Sequence, residues 1–240
     1  MTVSQTGVGV LDRCVAILDA VERGVRNVPA ISKATGLHRA TTHRLTKALE
    51  EHGFLTFVDG QGYRLGSTLL RLAATATREL PLRDLAHPVL ERLAAMTGES
   101  AQLYVRDADR RVCIDAVESA NELRTIVEIG ASLPLTEGSA GKVFLALGPE
   151  PLRERLLEGR NHPTERELAS IRRLGWAWSA GERQAGVGSV SAPVVAPHGA
   201  LTAAVSVSGP ANRIGRISAK RYAPAVVAAA REIERALGGL

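Results

Sequence analysis

From Val10 to Val21 apolar residues recur at steps of three and four: Leu11, Cys14, Val15, Leu18 and Val21. That spacing predicts a helix with one buried face, ended by Gly24. A second, shorter helix is predicted from Val28 to Thr35, with Pro29 in its first turn, where the missing N–H would have no intrahelical partner anyway. Gly36 supplies the break, and a third helix is predicted from about Arg39 to His52. There Thr42, Leu45 and Leu49 share a face, and Gly53 stands where a C-terminal cap belongs. The period then shortens to two extended runs, Phe54 to Val58 and Gly62 to Leu65, around Asp59-Gly60-Gln61-Gly62, residues that tolerate positive φ. A helix, helix, glycine turn, helix order followed by a hairpin outlines a helix-turn-helix with a candidate wing.

Ser67 is placed to cap a further helix, Thr68 to Glu79, with Leu69, Leu72, Ala73 and Ala76 on one side and Pro81 as its stop. It reads as a linker. Beyond it the pattern predicts a helix from Leu82 to Thr97 and extended runs at Ala101 to Asp107, Arg111 to Glu118 and Arg124 to Val127. Helices follow at Ser139 to Leu147 and Glu165 to Leu174, then strands at Val187 to Val195 and Leu201 to Gly209, joined by a Pro197-His198-Gly199 turn. A last helix lies within Ser218 to Leu237. Strands in both halves with helices between them predict one antiparallel sheet covered by helices, an α+β domain. The expected division is 1–66, a linker helix 67–80, and 81–240, with no internal repeat.

At 240 residues the chain has room for two modest domains. Aromatic residues make up only 3%, so the cores must be aliphatic. A net charge of +5 and a pI near 9.7 favour an acidic partner such as nucleic acid, although a high arginine content produces the same balance by itself. Cys14 and Cys113 stand far apart, with no neighbouring His or Cys at a ligand spacing, and read as ordinary reduced thiols. The N-terminus lacks the apolar core of a secretory signal, and no stretch approaches the roughly 18 apolar residues of a membrane span. A soluble, cytoplasmic protein without a membrane partner is expected.

The positive charge is concentrated on the third helix. Arg39, His43 and Lys47 fall at i, i+4 and i+8, opposite Thr42, Leu45 and Leu49, and Lys33, Arg39, Arg44 and Lys47 stand against Glu50 alone between positions 31 and 50. Such a stripe fits either a solvated face on an ordinary bundle or a helix that enters a major groove; the turn spacing and the wing favour the groove. Arg39, Arg44 and Lys47 would supply phosphate and guanine contacts, whereas Thr41, Thr42 and His43 would need close approach to a base or phosphate. Thr42 fits the apolar face equally well. Tyr63 and Arg64 on the wing suit either a phosphate or minor-groove contact or plain strand packing.

In the second half Leu201 to Ser208 alternates, with Thr202, Ala204, Ser206 and Ser208 on one face and Leu201, Ala203, Val205 and Val207 on the other. Val187 to Val195 alternates similarly and brings Ser189 and Ser191 together. Small hydroxyls in place of the long side chains of a solvated face suggest a shallow polar cavity able to bind a carboxylate or carbonyl oxygen. Gly138-Ser139-Ala140-Gly141-Lys142 opens an apolar helix, so its N–H groups would either face that cavity and hold an anion or simply cap the helix. It is not a P-loop, because Thr136 and Val143 occupy positions that require Gly and Ser or Thr.

Gly186-Val187-Gly188-Ser189-Val190-Ser191 is neither a nucleophile elbow nor a dinucleotide fingerprint, and no histidine spacing supports a metal or other cofactor. His87, His162 and His198, each beside a proline, read as turn residues. The rival readings are a small-molecule hydrolase with Ser189 or Ser208 as nucleophile, which lacks an adjacent base, and a regulator with a vestigial pocket.

Two segments carry a resemblance. Ile31 to Leu55, ISKATGLHRATTHRLTKALEEHGFL, includes Arg44-Leu45 and Glu51-His52-Gly53, and Gly181 to Pro210 reads GERQAGVGSVSAPVVAPHGALTAAVSVSGP. Together they resemble the IclR family of bacterial regulators over almost the whole chain. The resemblance implies a winged helix-turn-helix, a linker helix and a GAF-like effector domain holding small organic acids or aromatic metabolites. It also implies a homodimer formed through the DNA-binding region, often paired into a homotetramer, and operator binding altered by an effector, here an organic or amino or keto acid. No enzymatic activity is implied. Carried over by position, the pocket contacts fall on Ser139, Ala140, Gly141, Ser189, Ser206 and Ser208. Ser179 stands where glyoxylate- or pyruvate-type members often have Asp, and Ser189 where some have Cys, which removes a charge and argues against a glyoxylate-type ligand. The stretches TGESAQLY, RVCIDAVE and GERQAGVGSVSAPV resemble actinobacterial members that regulate amino-acid biosynthesis, leucine genes among them.

Overall fold

The computed structural model describes residues 8–78, 81–157, 162–196 and 199–238. The chain forms two compact units, Met1–Glu79 and Leu80–Leu240.

The first unit holds α1 (Gly9–Glu22), α2 (Val28–Thr35), α3 (Arg39–Glu51), β1 (Leu55–Val58), β2 (Gly62–Leu65) and α4 (Ser67–Arg78). Asn27 caps α2, its side-chain oxygen accepting the Ala30 N–H at 2.9 Å, and Gly36 ends the helix in the left-handed region at φ 70°. Ile17, Val21, Ile31, Leu45, Leu49, Leu55 and Tyr63 form the core. The hairpin pairs Leu55 with Leu65 through Val58 with Gly62, and the Tyr63 N–H donates to the Arg26 carbonyl at 2.7 Å, tying the hairpin to the α1–α2 connection. A Cβ at Gly62 would lie 2.3 Å from that carbonyl oxygen, so the close approach requires glycine.

Periodicity overstated the burial of α1. Ile17, Ala20 and Val21 are buried, but Leu11 is 55% and Val15 39% exposed, and Val10 is exposed beside them. An apolar stripe is covered only where another element reaches it, and within this unit the N-terminal half of α1 stays open.

The second unit holds α5 (Pro81–Thr97), β3 (Ser100–Asp107), β4 (Arg110–Val117), β5 (Ser132–Pro134), α6 (Gly138–Leu147), α7 (Glu150–Leu156), α8 (Glu165–Leu174), β6 (Ala177–Ala180), β7 (Val187–Val195), β8 (Leu201–Pro210) and α9 (Ala219–Leu237). The six strands form one antiparallel sheet in the order β5-β4-β3-β8-β7-β6. Leu90 and Leu93 of α5 with Val226 and Ile233 of α9 cover one face, against Ala101, Leu103, Val190, Val205 and Val207. The other face carries α6 and α8, with Val143, Phe144 and Leu168 against Tyr104, Cys113 and Ala204. The result is a helix, sheet, helix sandwich of aliphatic side chains. No helix among the described residues is long and apolar enough to cross a membrane.

Two local expectations change, and short elements are added that the sequence pattern does not predict. Arg124 to Val127 is not a strand, because the edge of β4 is already taken by β5 and by the Gly130 N–H, which donates to the Cys113 carbonyl at 2.7 Å. The short elements β5 and α7 have too few residues to show a period. His87 is no turn residue: it sits inside α5, and its Nδ1 lies 2.8 Å from the buried Asp115 carboxylate. The expected turn residues Pro197 and His198 and the end of the linker helix at Glu79 lie outside the described residues.

Candidate functional site

On α3 the two faces separate cleanly. Thr42, Leu45, Thr46 and Leu49 are buried, while Arg39, His43, Arg44 and Lys47 are exposed and Thr41 is half-buried. His38 caps the helix, its ring Nδ1 accepting the Ala40 N–H at 3.4 Å. Lys47 Nζ lies 2.9 Å from Glu50, and the hydrogen bond to that carboxylate pushes the ammonium above its usual range. Arg64 is exposed on β2 opposite Thr56.

Two residues assigned to this surface from sequence belong to the core. Thr42 is fully buried, and its hydroxyl donates to the His38 carbonyl at 3.2 Å. Tyr63 is also buried, its ring meeting Phe57 edge-on with centroids 5.2 Å apart. Both shape the surface from beneath; neither presents its side chain to a partner.

In the second unit the alternation of β7 and β8 turns Val190, Val194, Val205 and Val207 toward α9 and the serines toward α6. Antiparallel register then aligns the serines across strands: Ser179 opposite Ser189, Ser189 opposite Ser208, Ser208 opposite Ser100, and one row along Ser191 opposite Ser206. Ser139, in the first turn of α6, drops onto this ladder, its Oγ 2.7 Å from that of Ser189 and 2.6 Å from that of Ser191. Ser191 donates to Ser206 at 2.8 Å, Ser179 and Ser189 lie 2.9 Å apart, and Ser208 donates to the Gln102 side-chain oxygen at 3.0 Å. The hydroxyls of Ser139, Ser189, Ser191 and Ser206 each have two hydrogen-bond partners, so the centre of the network is satisfied without charge.

Tyr104, Arg111, Val127, Gly138, Ser139, Ala140, Ser179, Arg183, Gln184, Val187, Ser189, Ser206 and Ser208 enclose a cavity of about 30 Å³. That space admits a water or two, not an organic acid. Six of the seven residues expected in the pocket line it. Gly141 does not: a Cβ there would lie 2.3 Å from the Leu135 carbonyl oxygen, so it serves close packing of α6. The N–H at the start of α6 is also engaged. Gly138 donates to the Glu182 carboxylate at 3.1 Å, and Glu182 pairs with the buried Lys142 at 2.5 Å.

Sequence reading missed Arg111. It is 3% exposed on β4, its Nη1 donates to the carbonyls of Pro134 and Glu137, the latter at 2.9 Å, and its Cζ lies 5.5 Å from the centre of the Tyr104 ring. Its Nε is buried without a hydrogen-bond partner. Burial pulls the guanidinium down to about 10; Tyr104 opposes that shift and Arg183 adds to it. The signal was the alternation of β4, which buries Arg111 and Cys113 toward α6, whereas the register shift at Leu103 and Tyr104 turns Asp115 toward His87 of α5.

No lining residue is a histidine or carboxylate that could act as a base for Ser189 or Ser208. The Cys113 thiol, pushed up to about 12 by burial, is inert. Among the described residues no cluster of His, Cys, Asp and Glu suits a metal ion.

Two family models match the chain: the IclR helix-turn-helix domain over residues 10–59, and the Bacterial transcriptional regulator IclR C-terminal over residues 74–235. The HTH-type transcriptional regulator RhmR of Escherichia coli K12 is 32% identical, with 95% of this chain and 93% of that protein aligned. The crystal structure of Thermotoga maritima IclR is similar at 28% identity and a TM-score of 0.70, covering 96% of this chain and 99% of the other. An IclR homolog from Microbacterium hydrocarbonoxydans, solved in complex with 4-hydroxybenzoate, shares the fold at 24% identity and a TM-score of 0.81, covering 96% and 100%. These matched relatives are regulators, not enzymes.

Proposed function

This chain belongs to the IclR family of bacterial transcriptional regulators, DNA-binding proteins some of which take ligand effectors, and we propose that its two units divide those tasks. Arg39, His43, Arg44 and Lys47 on α3 enter the major groove of operator DNA, with Thr41 close beside them and Arg64 on the wing at the phosphates or minor groove. The cavity beneath α6 takes the effector, a small organic or amino or keto acid, contacted by Ser139, Ala140, Ser179, Ser189, Ser206 and Ser208. Admission of that ligand displaces Arg183 and Gln184, since the closed cavity is too small for it. Effector binding shifts operator affinity by its difference in affinity between two states, typically about 5- to 150-fold.

The observation that carries this reading is the split of α3 into a buried apolar face and an exposed basic one on the second helix of a helix-turn-helix. Binding of the purified protein to DNA from upstream of its own gene, with scrambled competitor and a salt series, tests it. Tight binding that survives competitor and weakens as salt rises is expected. Binding lost to competitor at every salt would remove α3 from this role.

Exposed Val10, Leu11 and Val15 on α1, and Leu70 and Leu72 on α4, support a homodimer, with a tetramer as a dimer of dimers. We divide the chain into a DNA-binding domain over residues 1–66, a linker helix over 67–80 and an effector domain over 81–240, and place it in the cytoplasm with its DNA. The stretches TGESAQLY and RVCIDAVE support a finer placement among actinobacterial regulators of amino-acid biosynthesis. On that placement branched-chain amino acids or their keto acids raise the melting temperature; a screen in which only unrelated acids do so rejects it.

A further inference from the structure

Arg111 is a buried cation with no ion pair among the described residues, and the Glu137 carboxylate acts on it only through space. Among the described residues no carboxylate pairs with it, its Nε has no partner, and Nη2 makes no hydrogen bond. The Tyr104 ring offers only a quadrupole, which does not neutralise a full charge. Removing one partner of a buried ion pair is costly because it strands a charge, and Arg111 sits in that stranded state within the cavity wall. The surroundings keep the guanidinium there: a Cβ at Gly138 would lie 3.0 Å from its Nη2, and one at Gly141 2.9 Å from its Nη1.

The other positive end at the cavity is engaged at its first N–H. The α6 N-terminus, an ordinary place for an anion, already holds the Glu182 carboxylate, anchored by Lys142. The serines are neutral and bonded to one another. Arg183 adds a second, half-buried cation, with no hydrogen-bond partner among the described residues, and no acidic residue lines the cavity.

We propose that Arg111 determines specificity in this cavity by pairing its free Nε and Nη2 edge with a carboxylate of the effector. The planar fork suits a carboxylate better than a point charge does. This assignment rests on the effector reading of the cavity and adds to it the residue that selects an acid over its neutral analogue.

The test pairs four acids with their primary amides: 4-hydroxybenzoate, phenylacetate, pyruvate and 4-methyl-2-oxopentanoate. Each is titrated by calorimetry into the full-length wild type, Arg111→Met and Ser189→Leu, the last of which fills the cavity. At least one acid is expected to bind the wild type about 10-fold or more tightly than its amide, as for a hydrogen bond to a charged group. Arg111→Met is expected to erase that preference, and Ser189→Leu to abolish binding of acid and amide alike. Equal binding of acids and amides, a preference that survives in Arg111→Met, or silence of all eight compounds on the wild type overturns the assignment. Acid binding that needs Arg111 but survives Ser189→Leu leaves the Arg111 pairing standing and overturns the cavity reading instead. Should Arg111→Met fail to show a cooperative melt, Arg111→Lys replaces it: a several-fold loss for acids with amides unmoved supports the pairing, and unchanged acid affinity overturns it.

Discussion

Arg39, His43 and Arg44 stand exposed on α3 with no side-chain partner among the described residues, whereas Ser139, Ser191 and Ser206 are at most 2% exposed and hold one another. Both are polar surfaces on apolar scaffolds, yet the first leaves its groups solvated and open to a partner, while the second removes them from water and must satisfy them internally. The comparison teaches where a substitution registers. On the exposed face it is expected to change binding and leave stability alone; in the buried network it is expected to change stability first. Arg111 is the exception in the second region: buried like the serines, unsatisfied like the arginines of α3.

The largest effect belongs to the exposed face. Arg39→Ala combined with Arg44→Ala is expected to weaken operator binding about 100-fold or more, at roughly 1–3 kcal/mol for each base-contacting residue, with the melting temperature within about 2 °C of wild type. Fluorescence anisotropy at fixed salt measures it, and a loss below about threefold would place the DNA surface elsewhere. Next comes the buried network. Ser191→Val removes one hydrogen-bond partner from each of Ser139 and Ser206 and is expected to lower stability by about 1–3 kcal/mol in urea, with operator affinity of the effector-free protein unmoved. A stability change under about 0.3 kcal/mol would mean that the network carries no weight.

Thr42→Val tests whether burial, not helix membership, decides the outcome. It is expected to cost about 1 kcal/mol of stability and to leave operator binding within twofold, although it lies between Arg39 and Arg44. A selective loss of binding would return Thr42 to the DNA surface. The smallest effect is expected at Glu50→Gln, which releases Lys47 from an exposed ion pair: operator affinity should rise by less than about threefold, with a steeper salt dependence. A fall in affinity would show Glu50 to be needed at the DNA.

Much of this was legible in the chain alone, for definable reasons. The capped helix at Glu165–Leu174 and the strand Val187–Val195 have the bounds that period and turn residues predict, because period is a property of neighbours in sequence. The basic stripe of α3 and the inward serines of β7 and β8 follow from the same short-range rule. Tyr63 could not be assigned that way, since a half-apolar ring on a hairpin suits a core and a surface equally until Phe57 and the Arg26 carbonyl are beside it.

The sequence by itself therefore determined the longer elements, which face of each is apolar, and where the basic and hydroxyl groups gather. Only the tertiary structure decided which faces are covered, so that Thr42 is buried while Leu11 on α1 is not. It also decided which charges meet: Glu182 reaches Gly138 across 44 positions, whereas Arg111 forms no ion pair with a carboxylate among the described residues. The physical reason is that periodicity depends on the backbone geometry of a few consecutive residues, while burial and ion pairing depend on partners that chain folding brings from far away.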